Sequence, residues 1–156
     1  MARIDPESLD RHYGEATYHL GVFMMNYLRR LNAEFDGDLA LVIVLGEIGH
    51  HSARRIFREA LPASGKDSRT LLTDEFVAAN LRRCNMLSVA EASGIPRETV
   101  RRKVDRLIRM GFVARAEDGT LAITRKVGTH FREFDRQAMQ EVLELSERLH
   151  GMLAGR

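Results

Sequence analysis

Six basic side chains fall between positions 97 and 109 of this chain: Arg97, Arg101, Arg102, Lys103, Arg106 and Arg109, against only Glu98 and Asp105. Guanidinium and ammonium groups at this density suit a phosphate-rich partner, and the fork of an arginine also matches a pair of planar acceptors. The plainer reading is a solvated helix face. In it Glu98 pairs with Arg102, and Asp105 with Arg101 or Arg109, in exposed contacts of little energetic weight. The two readings share one geometry, because Val100, Val104, Leu107 and Ile108 recur at spacings of 4, 3 and 1. Those spacings put the apolar residues on one face of a helix and leave the basic ones to the others.

The preceding residues predict how that helix is presented. Ser88 and Glu91 stand in the S-x-x-E relation of a capping box, which predicts a helix starting at Ser88. It ends near Ser93, because Gly94 takes the left-handed conformation cheaply and Pro96 suits the first turn of a second helix, which runs to Gly111. Two helices joined by so short a turn form a helix-turn-helix, a DNA-binding arrangement. After Gly111 the runs FVARA and TLAIT flank Glu117-Asp118-Gly119, the pattern of a β-hairpin.

Helix, short turn, basic helix and hairpin follow one another here, and over about residues 73 to 128 the chain resembles the winged helix-turn-helix transcriptional regulators of bacteria. The likeness is to the MarR (multiple-antibiotic-resistance regulator) family, and in the string TVRR to the GntR (gluconate-repressor) family. The resemblance implies a recognition helix at about 96–110 that enters the major groove of double-stranded DNA, with the hairpin as the wing. On that basis Arg97, Thr99 and Arg102 are expected to approach bases, since arginine reads guanine bidentately and a threonine methyl meets thymine. Arg101, Lys103 and Arg106 are expected at phosphates, Arg115 at the wing, and Arg125 and Lys126 as outer contacts.

The charge distribution fits this placement. The whole chain holds 24 basic and 22 acidic residues among 156, yet Leu81 to Arg132 carry 12 basic against 5 acidic, while both flanks are net acidic. A single cysteine, Cys84, excludes an internal disulfide, fits a reducing compartment and is expected to be buried and inert. The first ten residues contain no apolar signal core and no run approaches membrane-spanning length, so a cytoplasmic protein with no membrane partner is expected.

Long helices are expected on either side. Asp5-Pro6-Glu7 starts one of about 25 residues, with Leu9, Tyr13, Ala16, Leu20, Phe23, Tyr27 and Leu31 as its stripe. Val127, Phe131, Phe134, Ala138, Val142, Leu145, Leu149 and Met152 form a second stripe running from the hairpin almost to the end. Such stripes exceed what one small module covers, and a homodimer is expected to bury them. Between them Asp38 precedes LALVIVLGEI, read as a buried helix continuing to Leu61 and part of the dimer interface. Pro62 to Ser68 reads as a loop, and Thr73 or Asp74 caps a helix containing Phe76, Val77, Leu81 and Cys84. The expected organisation is an N-terminal helical dimerisation region at 1–66, the winged helix-turn-helix module at 67–128 and a C-terminal dimerisation helix at 129–156. The fold class is mainly α with a small β-hairpin wing.

Other chemistry finds little footing. Glu47, His50 and His51, and His12, Glu15 and His19, have helical spacings at which imidazole and carboxylate groups can share a metal, but no HExxH pattern, cysteine partner or second Glu-x-x-His completes a site. Phosphate loops, nucleophile elbows and paired catalytic acids are missing from the sequence, so neither enzyme activity nor a cofactor is expected. Tyr13, Phe23, Met24, Met25 and Tyr27 could line a pocket for a small-molecule effector of unknown identity, although such stripes are more often core. The rival from another class is a protein-interaction scaffold that keeps the winged helix without specific DNA binding. It gains ground if the cations of 97–109 are occupied within the protein.

Overall fold

The computed structural model describes residues 4–65 and 80–154, and within them the protein is mainly helical with one two-stranded antiparallel hairpin. The chain divides into two compact units, Met1–Gly37 with His130–Arg156, and Asp38–Thr129. Residues 38–64, expected with the N-terminal region, therefore group with the helix-turn-hairpin stretch.

In the first unit α1 (Pro6–Glu34) pairs with α7 (Arg132–Leu153). Asp5 caps α1 by accepting a hydrogen bond from the Ser8 amide at 2.9 Å, with Pro6 in the first turn, as its sequence predicts. The helix is 29 residues long, somewhat more than expected. Of its expected stripe, Ala16 is buried and Leu9, Phe23, Tyr27 and Leu31 are half-buried, whereas Tyr13 and Leu20 are exposed. The C-terminal stripe is broken at Phe131 into α6 (Arg125–His130) and α7. Phe131 is buried and stacks on Phe35 with ring centroids 5.7 Å apart. Arg30 and Glu141 occupy stripe spacings too: Arg30 Nη1 and Nη2 donate to the two Glu141 oxygens at 2.7 and 2.9 Å, and the guanidinium lies over the Phe134 ring. The Arg30 hydrogen bonds hold the Glu141 carboxyl below its ordinary range despite partial burial.

The second unit is built on α2 (Leu39–Arg55), which continues through a π-helical turn at Ile56–Ala60 into a short α3 (Leu61–Ser64). The loop expected from Pro62 is thus helical at its start, where Pro62 fits a first turn, and Gly65 closes it. Lys66–Ser68, the Thr73 or Asp74 cap, Phe76 and Val77 lie outside the described residues. On α2 the side chains of Leu41, Val44, Leu45, Ile48 and Ser52 are buried, while Leu39 and Ile43 are exposed. The helix that reads as apolar all round is therefore buried on one face only within the chain. Its buried face meets α4 (Met86–Ser93), α5 (Arg97–Arg109) and β2 (Leu121–Ile123). Ser52, fully enclosed, keeps its polar atoms partnered: its hydroxyl accepts from the Ile123 amide and its carbonyl from the Arg82 amide.

Cys84 departs from its expected place on a helix. It lies in extended backbone and exchanges hydrogen bonds with Leu121 at 2.9 and 2.7 Å, a third extended partner for the hairpin of β1 (Val113–Arg115) and β2. A period-based reading cannot find a one-residue bridge, because its pairing is nonlocal.

Asp38 joins two parts of this unit. Its Oδ1 accepts from the Leu41 amide at 3.1 Å and caps α2; its Oδ2 accepts from Lys103 Nζ at 2.7 Å and Arg106 Nη1 at 3.1 Å on α5. Burial alone would raise the Asp38 carboxyl, but the hydrogen bonds from Lys103 and Leu41 and the charges of Lys103 and Arg106 outweigh it, so the acid stays below its ordinary value. A carboxyl lowered on folding stabilises above its unfolded pKa and loses that contribution as pH falls through the folded one. Asp38→Asn, which keeps the cap, is expected to cost about 1–2 kcal/mol at pH 7, and Asp38→Ala about 1 kcal/mol more for the lost cap. In urea unfolding the Asn penalty should shrink at pH values below about 4; an unchanged penalty at pH 3 would contradict the ion-pair role.

Candidate nucleic-acid interface

The turn into α5 is built locally. Asn85, rather than Ser88, caps α4: its side-chain oxygen accepts from the Ser88 amide at 2.9 Å, so the helix starts at Met86, two residues before the expected point. Asparagine and serine are both good caps, and the one three residues upstream of Ser88 prevails. Gly94, at φ 68°, ends the helix with its amide donating to the Ala90 carbonyl. Pro96 then precedes α5.

Within α5 the side chains of Val100, Val104 and Leu107 are completely buried, fixing which face looks inward. Opposite them, at spacings of 4, 3 and 4, lie Glu98, Arg102, Asp105 and Arg109. The helix stops at Arg109, and Gly111 at φ 75° turns the chain into β1. A Cβ at Gly111 would make only ordinary contact with Lys126 Cδ at 3.4 Å, so the left-handed conformation is what favours glycine there. Lys126 Nζ donates to the Met110 carbonyl at 2.8 Å and sits over the Phe112 ring, which satisfies an end carbonyl of α5. Beyond β1, the Ala116 and Gly119 amides close the hairpin turn, and Asp118 accepts from the Thr120 amide and hydroxyl.

The nine residues expected to contact a nucleic acid separate into groups. Arg97 and Arg102 are exposed; Arg97 has no side-chain partner among the described residues, and Arg102 has a 3.4 Å contact to the Thr99 hydroxyl and the charge of Glu98 one turn away. Arg109, which was not among the nine, is exposed and likewise without a partner among the described residues. Arg101 is occupied: it donates to Glu98 at 2.7–3.2 Å and to Asp105 at 3.2 Å, while Arg115 of β1 donates to the other Asp105 oxygen at 2.9 Å. Glu98 is lowered chiefly by the Arg101 hydrogen bond. Lys103 and Arg106 are drawn to Asp38, and Lys126 to Met110. Arg125 is exposed on α6.

These engagements differ in strength. The Glu98–Arg101 pair keeps 67% and 51% of its side-chain surface in water, so solvent screens it and it adds little to stability. The Asp38–Lys103 pair keeps 16% and 23%, and breaking it strands a part-buried charge. Lys103 and Arg106 are thus fold-positioning cations, and the helix presents Arg102 and Arg109 on its outer line, with Arg97 exposed at its first turn. The spacing rule that identified the apolar face would also have placed Arg109 on the outer line with Arg102. Nothing local in the sequence points Lys103 and Arg106 at an acid more than sixty positions away.

The remaining polar groups do not assemble into a second site. Glu15 lies 3.8 Å from His12 Nδ1 and 3.9 Å from His19 Nε2 along α1. Glu47, His50, His51, Arg54 and Cys84 help line a cavity of about 250 Å³. Among the described residues no group of three His, Cys, Asp or Glu side chains is arranged to hold a metal ion. Burial pushes the Cys84 thiol up, away from the thiolate. Of the residues suggested for an effector pocket, Phe23 and Tyr27 line an apolar groove with Ala138, Met139 and Val142, whereas Tyr13, Met24 and Met25 are exposed. Among the described residues no helix is long and apolar enough to cross a membrane. Compared with family models, curated proteins and solved structures, the chain has no significant match.

Proposed function

We propose that this chain is a MarR-like winged helix-turn-helix regulator of transcription that binds duplex DNA sequence-specifically as a cytoplasmic homodimer, with α5 as its recognition helix and the β1–β2 hairpin as its wing. One observation carries the reading. A buried apolar face locks α5 in rotation so that Arg102 and Arg109 lie on its outward line without strong partners, with Arg97 exposed at its first turn, next to a hairpin that begins at Val113, four residues after the helix-ending Arg109. Arg102, central on the outer line, reads a base; Arg97 and Arg109 meet phosphates.

The dimer rests on the first unit. Leu20, Met24 and Leu28 of α1 and Met139, Val142 and Leu143 of α7 are exposed apolar residues. A twofold partner covering them would present two recognition helices, which must lie about 34 Å apart to reach successive major grooves. The scaffold reading draws on a specific observation as well, the internal engagement of Lys103, Arg106, Arg115 and Lys126. The weight falls on DNA binding because Arg102 and Arg109 stay uncommitted on one outer line of the helix, with Arg97 exposed at its start.

With Arg97, Arg102 and Arg109 from each protomer, about six cations per dimer meet the duplex, and the log–log dependence of affinity on salt is expected to have a slope near −5. Fluorescence titration of a labelled duplex at several salt concentrations measures it, and a flat response contradicts the electrostatic mode. Arg102→Ala is expected to weaken binding to a preferred duplex by about 1–3 kcal/mol and to relax preference at one base pair. An unaltered preference removes Arg102 from the base-reading set.

A further inference from the structure

The outer line of α5 alternates in sign: Glu98, Arg102, Asp105, Arg109. An acid on a surface meant for a polyanion needs a reason, and the two acids differ in their surroundings. Asp105 is held on both oxygens, by Arg101 and by Arg115, and its side chain is 32% exposed. Its contacts tie the hairpin to the helix. Among the described residues Glu98 accepts hydrogen bonds from Arg101, feels the charge of Arg102 one turn on, and is 67% exposed at the second position of α5, in the N-terminal half that helix-turn-helix proteins direct at base edges.

We infer that Glu98 is a specificity-determining residue of this surface, accepting a hydrogen bond from the exocyclic amino group of a cytosine beside the base read by Arg102. The inference rests on the DNA-binding reading and deepens it. An ionised carboxylate only accepts, with about four lone-pair sites on its two oxygens. Arg101 engages both oxygens, Nη2 on Oε1 at 2.7 Å and Nε across Oε1 and Oε2 at 3.2 and 3.0 Å, which fixes the orientation of the carboxylate and offsets its charge while leaving Oε2 a further lone pair. In the major groove guanine presents N7 and O6 and thymine O4, all acceptors that repel a carboxylate. Adenine sets its amino group beside an acceptor, and cytosine offers a donor alone. Arg101 is then a positioning residue, acting on DNA through Glu98.

The test is selection of binding sites from a pool of random-sequence duplexes by the wild-type chain, by Glu98→Ala and by Glu98→Gln, each checked for helix content by circular dichroism. The wild type is expected to enrich cytosine at one position near that governed by Arg102. Glu98→Ala should leave the other positions intact but reduce discrimination there roughly tenfold or more, with equal or tighter binding to unselected duplex. Glu98→Gln should turn the preference towards adenine, because an amide pairs with N6 and N7 together. Identical motifs from all three proteins overturn the role of Glu98 and leave DNA binding standing. A wild type that enriches no motif and retards no duplex overturns the DNA-binding reading and this inference with it.

Discussion

One carboxylate fixes where the cationic helix lies. Asp38 caps α2 with one oxygen and holds Lys103 and Arg106 of α5 with the other, so the start of one helix and the middle of another are referred to a single acid. The apolar contacts behind it, Leu41, Val44 and Ile48 on α2 and Val100, Val104 and Leu107 on α5, supply non-directional burial energy. The charged triad adds direction, since a part-buried carboxylate is tolerated only with its partners in place. Together they set the rotation of α5, and rotation decides which arginines meet solvent.

That rotation sorts chemically similar side chains into different roles. Lys103 and Arg106 belong to the same run of basic residues as Arg102, yet they are half-buried against an acid while Arg102 stands exposed. Arg101 occupies a middle position, paired with Glu98 but in water, where the pair is screened. Net charge alone would treat all of these as one footprint. The structure reduces it to a narrower ridge, one able to combine arginine forks with a carboxylate acceptor.

Much of this was legible in the sequence because it is local. Gly94, Pro96 and Gly111, the 4-3 spacing on α5, the Asp5-Pro6-Glu7 start and the acidic-glycine turn each report on neighbours a few residues away, and the elements they predict are found. The departures are of two kinds. Some are choices between nearly equivalent local signals, such as Asn85 over Ser88 as cap, or a break at Phe131 in a stripe whose period gives no sign of it. The others depend on contacts distant in sequence: Cys84 pairing with Leu121, Asp38 with Lys103, Arg30 with Glu141. Spacing shows that Arg30 and Glu141 fall on apolar stripes but not that they find each other.

The central claim is that α5 and the adjoining hairpin form the surface that meets duplex DNA. Backbone amide chemical shifts followed by NMR while unlabelled duplex is added test it residue by residue. The account predicts that perturbations concentrate at residues 97–109 and 113–123, strongest around Arg102, and fade as salt is raised. Perturbations confined to residues 6–34 and 132–153, or none at any duplex concentration, would contradict it.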